Sequence, residues 1–307
     1  MNTQDVKPGA PQLSRIRTFL FWALAFVWFS EMVLWGFFAN IWTYVWHVIP
    51  PENPQLAMAL FITWAIAAPA KGALCVMAVF GARSKDPFAR TVLFASMALI
   101  PPLNIAFPFR QQGFLFSSVA VATIFSIILW GSFFLFREPA QRPEQKGIRG
   151  SGQLPPSRWE IFQYVWFTVN AAALTLMAFL FLFWPGTALH LIFPCLSTML
   201  NASQGELFSL IHSCMASGTH LLALAIASWI ATLYCRSNPP LRQALTMGSA
   251  VLTGLFFIFP LRQIFLEFGG NCTTSSILII FVPLFVGWVV YGAFSYRKKS
   301  RNARYGR

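Results

Sequence analysis

Long runs of apolar residues dominate the chain and are separated by short polar segments. A membrane-spanning helix needs about 20 consecutive apolar residues, with a range of about 17–25. Continuous runs favour helices over the strands of a membrane barrel, in which apolar and polar residues alternate. The sequence therefore predicts eight spanning helices, at residues 19–42, 56–80, 91–107, 113–136, 161–184, 207–234, 244–259 and 277–294.

The composition points to the same class of protein. The 307 residues are 57% hydrophobic and 10% charged, whereas soluble domains carry about 25% charged residues. A soluble fold could not bury so much apolar surface, so lipid must cover part of it. The predicted fold class is an all-α integral membrane protein with about eight transmembrane helices.

The distribution of basic residues predicts the orientation of these helices. Both tails and the even-numbered connections hold most of the lysines and arginines, while the opposite side holds only Arg110 and Arg262. By the positive-inside rule, both termini are expected to be cytoplasmic. The expected location is a cell membrane, the bacterial inner membrane above all. The net charge of +13 then reflects topology and attraction to anionic headgroups, and no nucleic-acid partner is expected.

A polar central segment rich in glycine, proline and basic residues divides the chain into two halves. Such a composition is typical of a flexible linker. The predicted organisation is a cytoplasmic N-terminal tail at 1–17, a first four-helix unit at 18–137, a cytoplasmic linker at 138–158, a second four-helix unit at 159–296 and a basic cytoplasmic tail at 297–307.

The two halves resemble each other in three short motifs that keep their order. ARSKDP at 82–87 recurs as CRSNPP at 235–240, FPFRQ at 107–111 as FPLRQ at 259–263, and WHVIP at 46–50 as LHLIFP at 189–194. This recurrence predicts a tandem duplication. Because four crossings is an even number, both units would point the same way, which predicts a parallel repeat about an axis along the membrane normal.

The third helix of each unit is the first candidate site. Both segments are short, with Pro101 and Pro102 interrupting the first and Gly254 the second. Interrupted segments at corresponding positions of two repeats are a pointer to a transporter site, and arginine offers a planar fork to anions. An alternative is that the two arginines reach lipid headgroups. The predicted ligand-binding residues are Arg110, Gln111, Arg262 and Gln263.

Two charges fall inside predicted membrane helices. Glu31 lies near the middle of the first helix and Lys71 near the middle of the second. These helices are antiparallel, so the two residues have similar depths, and a lone charge at the midplane costs about 2.5–3.5 kcal/mol on insertion scales. The sequence therefore predicts a Glu31–Lys71 pair, either as a proton or ion relay or as a structural lock. The corresponding second-half positions, Leu174 and Leu224, are apolar.

The histidines and cysteines give two weaker hypotheses. His212 and His220 are eight residues apart on one helix, and His47 and His190 occupy corresponding outer positions. Two such histidines could hold a haem, although no CxxCH attachment motif is present; no cofactor is predicted otherwise, and no metal-binding spacing occurs. Cys195 and Cys272 both fall in outer loops, where a disulfide can form if their Cα atoms lie within about 7 Å.

Three classes of function remain open. The sequence has no P-loop, GxSxG or HExxH motif, which argues against the corresponding enzymes without excluding others. The favoured prediction is a transporter or permease with a site between the repeats, for an anionic small molecule or a lipid headgroup. The alternatives are a non-catalytic membrane subunit or assembly factor with membrane-protein partners, and a haem or quinone redox protein or lipid-modifying enzyme.

Overall fold

The computed structural model describes residues 10–38, 54–107, 116–135, 158–192, 204–234, 239–256 and 286–287. All elements in these ranges are helical. Their bounds are α1 (Ala10–Phe37), α2 (Pro54–Arg83), α3 (Pro87–Ala98), α4 (Ile100–Ala106), α5 (Phe116–Leu135), α6 (Arg158–Phe183), α7 (Pro185–Ile192), α8 (Gln204–Tyr234) and α9 (Pro239–Phe256).

Four helical segments of the described part are long and apolar enough to cross a membrane. They are Arg15–Phe37 in α1, Pro87–Ala106 across α3 and α4, Ile161–Phe183 in α6, and Leu210–Ile230 in α8. Large apolar side chains on the outer helices are exposed, including Phe26 of α1 and Leu176 of α6, each 71% exposed. Because water would oppose such exposure, these helices indicate a membrane protein.

Helices α2 and α8 form the centre of the described structure. The most extensive contacts of α2 are with α1 and then with α9, while those of α8 are with α6. Helices α2 and α8 also contact each other, and α8 contacts α3 and α4. The central pair therefore joins the half of the chain before the linker to the half after it.

Small residues allow these helices to pack closely. Helix α2 buries Ala67, Ala68, Ala70, Ala73 and Ala78. A side-chain carbon added at Gly81 of α2 would overlap the buried ring of Phe21 on α1, so glycine is required at this contact. Helices that meet in lipid lack a strong hydrophobic driving force and depend on such close packing.

The predicted interruption of the third helix is present in the first half. Asp86 caps α3 by accepting a hydrogen bond from the Phe88 amide. Helix α3 ends at Ala98, and Leu99 separates it from a short helix whose first turn holds Pro101. Proline is tolerated in a first turn because the amide there needs no helical partner. The fixed φ angle of Pro101 and its lack of a backbone N–H explain why the helix breaks at this point.

The predicted interruption at Gly254 is wrong. Helix α9 continues through this residue to Phe256. Glycine costs a helix only about 1 kcal/mol relative to alanine, whereas proline costs about 3 kcal/mol and removes a hydrogen bond. The two third helices therefore differ in their described parts.

Other predicted boundaries shift by a few residues. Helix α1 begins at Ala10, upstream of the predicted start, because basic residues such as Arg15 and Arg17 are good helix formers even though they are not apolar. The short helix α7 was not predicted, since eight residues after Trp184 are too few for a crossing. Of the predicted eighth helix, only residues 286–287 are described. The linker up to residue 157 and the C-terminal tail lie outside the described residues, while the predicted N-terminal tail is described from Ala10 onward.

Candidate functional site

An ion pair joins the first two helices of the described structure. The Lys71 ammonium on α2 donates a hydrogen bond to Oε2 of the Glu31 carboxylate on α1. The two partners differ in exposure, because the Lys71 side chain is 2% exposed and that of Glu31 is 25% exposed. Lys71 is thus sealed within the protein, while part of the Glu31 side chain remains open.

Two tryptophans of α1 surround the ammonium group. Lys71 Nζ lies 4.0 Å from the ring centroid of Trp35 and 5.5 Å from that of Trp28. Positions 28, 31 and 35 fall on one face of a helix, so both indoles and the carboxylate converge on α2. A desolvated cation over an indole gains about 2 kcal/mol, so the tryptophans stabilise the Lys71 charge together with Glu31.

His220 of α8 closes the same cluster from the second half. Its ring packs edge-on against Trp28 with centroids 5.7 Å apart and lies 6.4 Å from the Trp35 ring. Its Nδ1 lies 2.7 Å from the Ala216 carbonyl oxygen. A carbonyl only accepts hydrogen bonds, so we assign the proton to Nδ1, which leaves Nε2 as an acceptor in the neutral ring.

Two hydroxyl groups in the turn before His220 attach α8 to its neighbours. Ser217 Oγ donates to the Thr63 carbonyl oxygen of α2 at 3.2 Å, and Thr219 Oγ1 donates to Asn104 Oδ1 of α4 at 2.7 Å. Hydrogen bonds of this kind between membrane helices contribute about 0.6 kcal/mol on average. They fix the position of α8 against both α2 and α4.

We call Trp28, Glu31, Trp35, Lys71 and His220 the ionic cluster. It contains a carboxylate, an ammonium and an imidazole, three groups that can exchange protons. The Trp28 indole Nε1 is also buried, and no acceptor for it is present in the described part of the chain. An unsatisfied buried donor costs about 1–3 kcal/mol, so this group is available to a water molecule or a ligand.

The predicted repeat pairs Glu31 and Lys71 with Leu174 and Leu224. Both leucines are apolar and buried. The chemistry of the cluster is therefore carried by one half, with His220 as the contribution of the other.

None of the other predicted site residues that the structure describes belongs to the ionic cluster. His190 is exposed on α7, and His212 is half-buried on α8, two turns before His220. In the described ranges, no group of three or more histidine, cysteine or acidic side chains is arranged to hold a metal ion. The remaining predicted residues lie outside the described residues: Arg110, Gln111, Arg262, Gln263, His47, Cys195 and Cys272.

Sequence reasoning missed the aromatic half of the cluster. The chain has 33 phenylalanines and 12 tryptophans, so Trp28 and Trp35 do not stand out by type. Their spacing from Glu31, three residues before and four after, was the available signal, because it places all three on one helical face.

No protein-family model, curated protein or solved structure matches the chain.

Proposed function

We propose that the protein is a membrane transporter or permease whose ligand site lies between the two halves of the chain. The observation that supports this most strongly is the ionic cluster, in which Lys71 of the first half and His220 of the second pack against the same two tryptophans. Ionisable groups inside membrane helices are costly and usually mark a pathway for substrates, ions or protons. The buried Trp28 N–H adds a donor that a ligand can use.

The packing of the described helices supports a duplicated architecture. In each half the first long helix packs most extensively on the second, as α1 does on α2 and α6 on α8. The two second helices then contact each other. An axis along the membrane normal between α2 and α8 would produce this arrangement, so we propose a parallel repeat of two four-helix units.

We propose eight crossings with both termini in the cytoplasm. Reporter domains fused after Gln153 and at the C-terminus are expected to be cytoplasmic, and one inserted near Asn201 is expected to be external, because basic connections stay inside. Reporter activity in cells measures all three. An external reporter after Gln153 would contradict the eight-crossing arrangement.

We propose that the ligand carries an anionic group, held on the outer side by Arg110 and Arg262 with their neighbouring glutamines. Both arginines occupy the same FPxRQ motif. A guanidinium binds a carboxylate or phosphate through two parallel hydrogen bonds, which an ammonium cannot reproduce. An anionic small molecule and a lipid headgroup share this chemistry.

The arginine proposal is tested by ligand-dependent melting of the purified protein in detergent. Among small carboxylates, phosphates and soluble headgroup analogues, at least one is expected to raise Tm, since a ligand at 100 times its Kd stabilises by about 2.7 kcal/mol. Arg110→Lys and Arg262→Lys are each expected to weaken its binding about tenfold or more, because a charge-assisted hydrogen bond contributes about 1.5–3 kcal/mol.

Arg83→Lys is the matched control. Arg83 is exposed at the end of α2, at the side proposed to be cytoplasmic, so this exchange should leave the Kd unchanged. If Arg110→Lys and Arg262→Lys bind the ligand as the unmodified protein does, the two arginines contact lipid headgroups and the anion site is lost.

A further inference from the structure

We propose that Glu31 is the proton-exchanging group of the ionic cluster and that Lys71 is its fixed counter-charge, so that transport is coupled to protons. This inference rests on the proposed function and names its coupling ion. It follows from the different surroundings of the Glu31 carboxylate and the Lys71 ammonium, which form one ion pair. Of the titratable groups on the described helices, Lys71 on α2 pairs with Glu31, and His220 on α8 packs against the neighbouring rings of Trp28 and Trp35.

Lys71 is the enclosed partner of the pair. Its side chain is almost fully enclosed, and its ammonium faces the indoles of Trp28 and Trp35 as well as the carboxylate. If Glu31 becomes neutral, the two cation–π contacts remain and continue to stabilise the ammonium. A group that is sealed in and held from several sides is poorly suited to exchange protons with its surroundings.

Glu31 is the partner placed to exchange protons. Only Oε2 of its carboxylate accepts the Lys71 hydrogen bond, and no hydrogen bond to Oε1 is formed within the described part of the chain. A quarter of the Glu31 side chain is exposed, whereas that of Lys71 is 2% exposed, so the carboxylate is the more accessible partner of the pair. Proton binding at Oε1 removes the negative charge that attracts the ammonium.

Proton uptake and the ion pair therefore compete for one carboxylate. With the proton bound, α1 and α2 lose the Coulomb attraction that joins them at this depth, although the indole contacts persist. The ion pair then no longer opposes a local shift between the two helices. This competition would link a proton to a change in helix packing, which is the requirement for coupling.

The test uses dicyclohexylcarbodiimide, a membrane-soluble reagent that modifies protonated carboxyl groups. The acid O–H adds across a C=N bond, and the acyl group then migrates to nitrogen, so the product keeps every atom of both reactants. The full-length protein in mild detergent is treated at several pH values, and the peptide that holds Glu31 is analysed by mass spectrometry. Because modification is irreversible, it also traps a protonated form that is present in small amounts.

We expect the reagent to modify Glu31 in the unmodified protein, and to modify it more at lower pH, because only the protonated carboxyl group reacts. Lys71→Met should increase modification at least about tenfold at a given pH, because the ammonium that favours the ionised carboxylate is gone. Lys85→Met, which removes an exposed lysine between α2 and α3, is the matched control and should change nothing. Glu31→Gln should abolish modification of this peptide.

Absence of modification in the unmodified protein at every pH would overturn the proposal, whether or not Lys71→Met becomes reactive, since the pair would then be a permanent lock. Protection by sodium ions at constant pH would also overturn it, because the exchanged ion would then be sodium. The readout concerns Glu31 alone. If a ligand raises Tm but Glu31 is not modified, the proposed transport function stands and proton coupling is contradicted. If Glu31 is modified but no ligand raises Tm, the proposed transport function is contradicted.

Discussion

Glu31→Gln is expected to lower the free energy of unfolding by about 3 kcal/mol, the low end of the range for a stranded buried charge. The loss arises because the Lys71 ammonium, 2% exposed, keeps its position without its counter-ion. The loss stays at the low end because the indoles of Trp28 and Trp35 continue to stabilise the cation. Lys71→Met should cost less, since the quarter-exposed Glu31 can take up a proton.

The double replacement of Glu31 by glutamine and Lys71 by methionine should recover most of this loss, because no unpaired charge remains. Denaturation of the purified proteins in mixed micelles measures all three free energies, and the double-mutant cycle gives the coupling between the two sites. A double variant whose loss equals the sum of the two single losses would show that the pair contributes nothing to the fold.

Trp28→Ala is expected to cost about 3–5 kcal/mol, as for other buried aromatic residues. Trp28 is 6% exposed and contacts both Lys71 and His220, so its removal leaves a cavity at the junction of α1, α2 and α8. The neighbouring Phe29 is 51% exposed, and lipid chains can replace its contacts. Phe29→Ala should therefore change stability by no more than about 0.5 kcal/mol.

The comparison between neighbouring aromatic residues is measured by the same denaturation experiment. Equal losses at Trp28 and Phe29 would mean that α1 presents another face to α2 and α8. In that case the ionic cluster as described here would not exist.

The contrast between Trp28 and Phe29 also shows what the sequence can predict in this protein. Hydropathy identifies helices, because lipid demands continuous apolar runs. It does not identify the buried face, since a helix in lipid is apolar on all sides and lacks the polar stripe that marks the surface of a soluble helix. Trp28 and Phe29 are indistinguishable by residue type, and only the fold separates them.

The charged residues predicted contacts between helices better than the apolar residues did. Glu31 and Lys71 were expected to meet because each is too costly to leave alone in the bilayer and both have similar depths on antiparallel helices. The neighbours of His220 could not be predicted in this way, because Trp28 and Trp35 come from the other half of the chain. The break before Pro101 was predictable from backbone chemistry, whereas the expected break at Gly254 overestimated the effect of a glycine.

Purification in mild detergent, followed by native mass spectrometry and an absorption spectrum, tests the proposed transporter most directly. We expect a species that contains this polypeptide and no other, that has no haem absorption, and that gains mass when the stabilising anion is added. A second polypeptide in fixed stoichiometry would instead identify a subunit or assembly factor, and a haem spectrum would identify a redox protein. Either result would contradict the proposal.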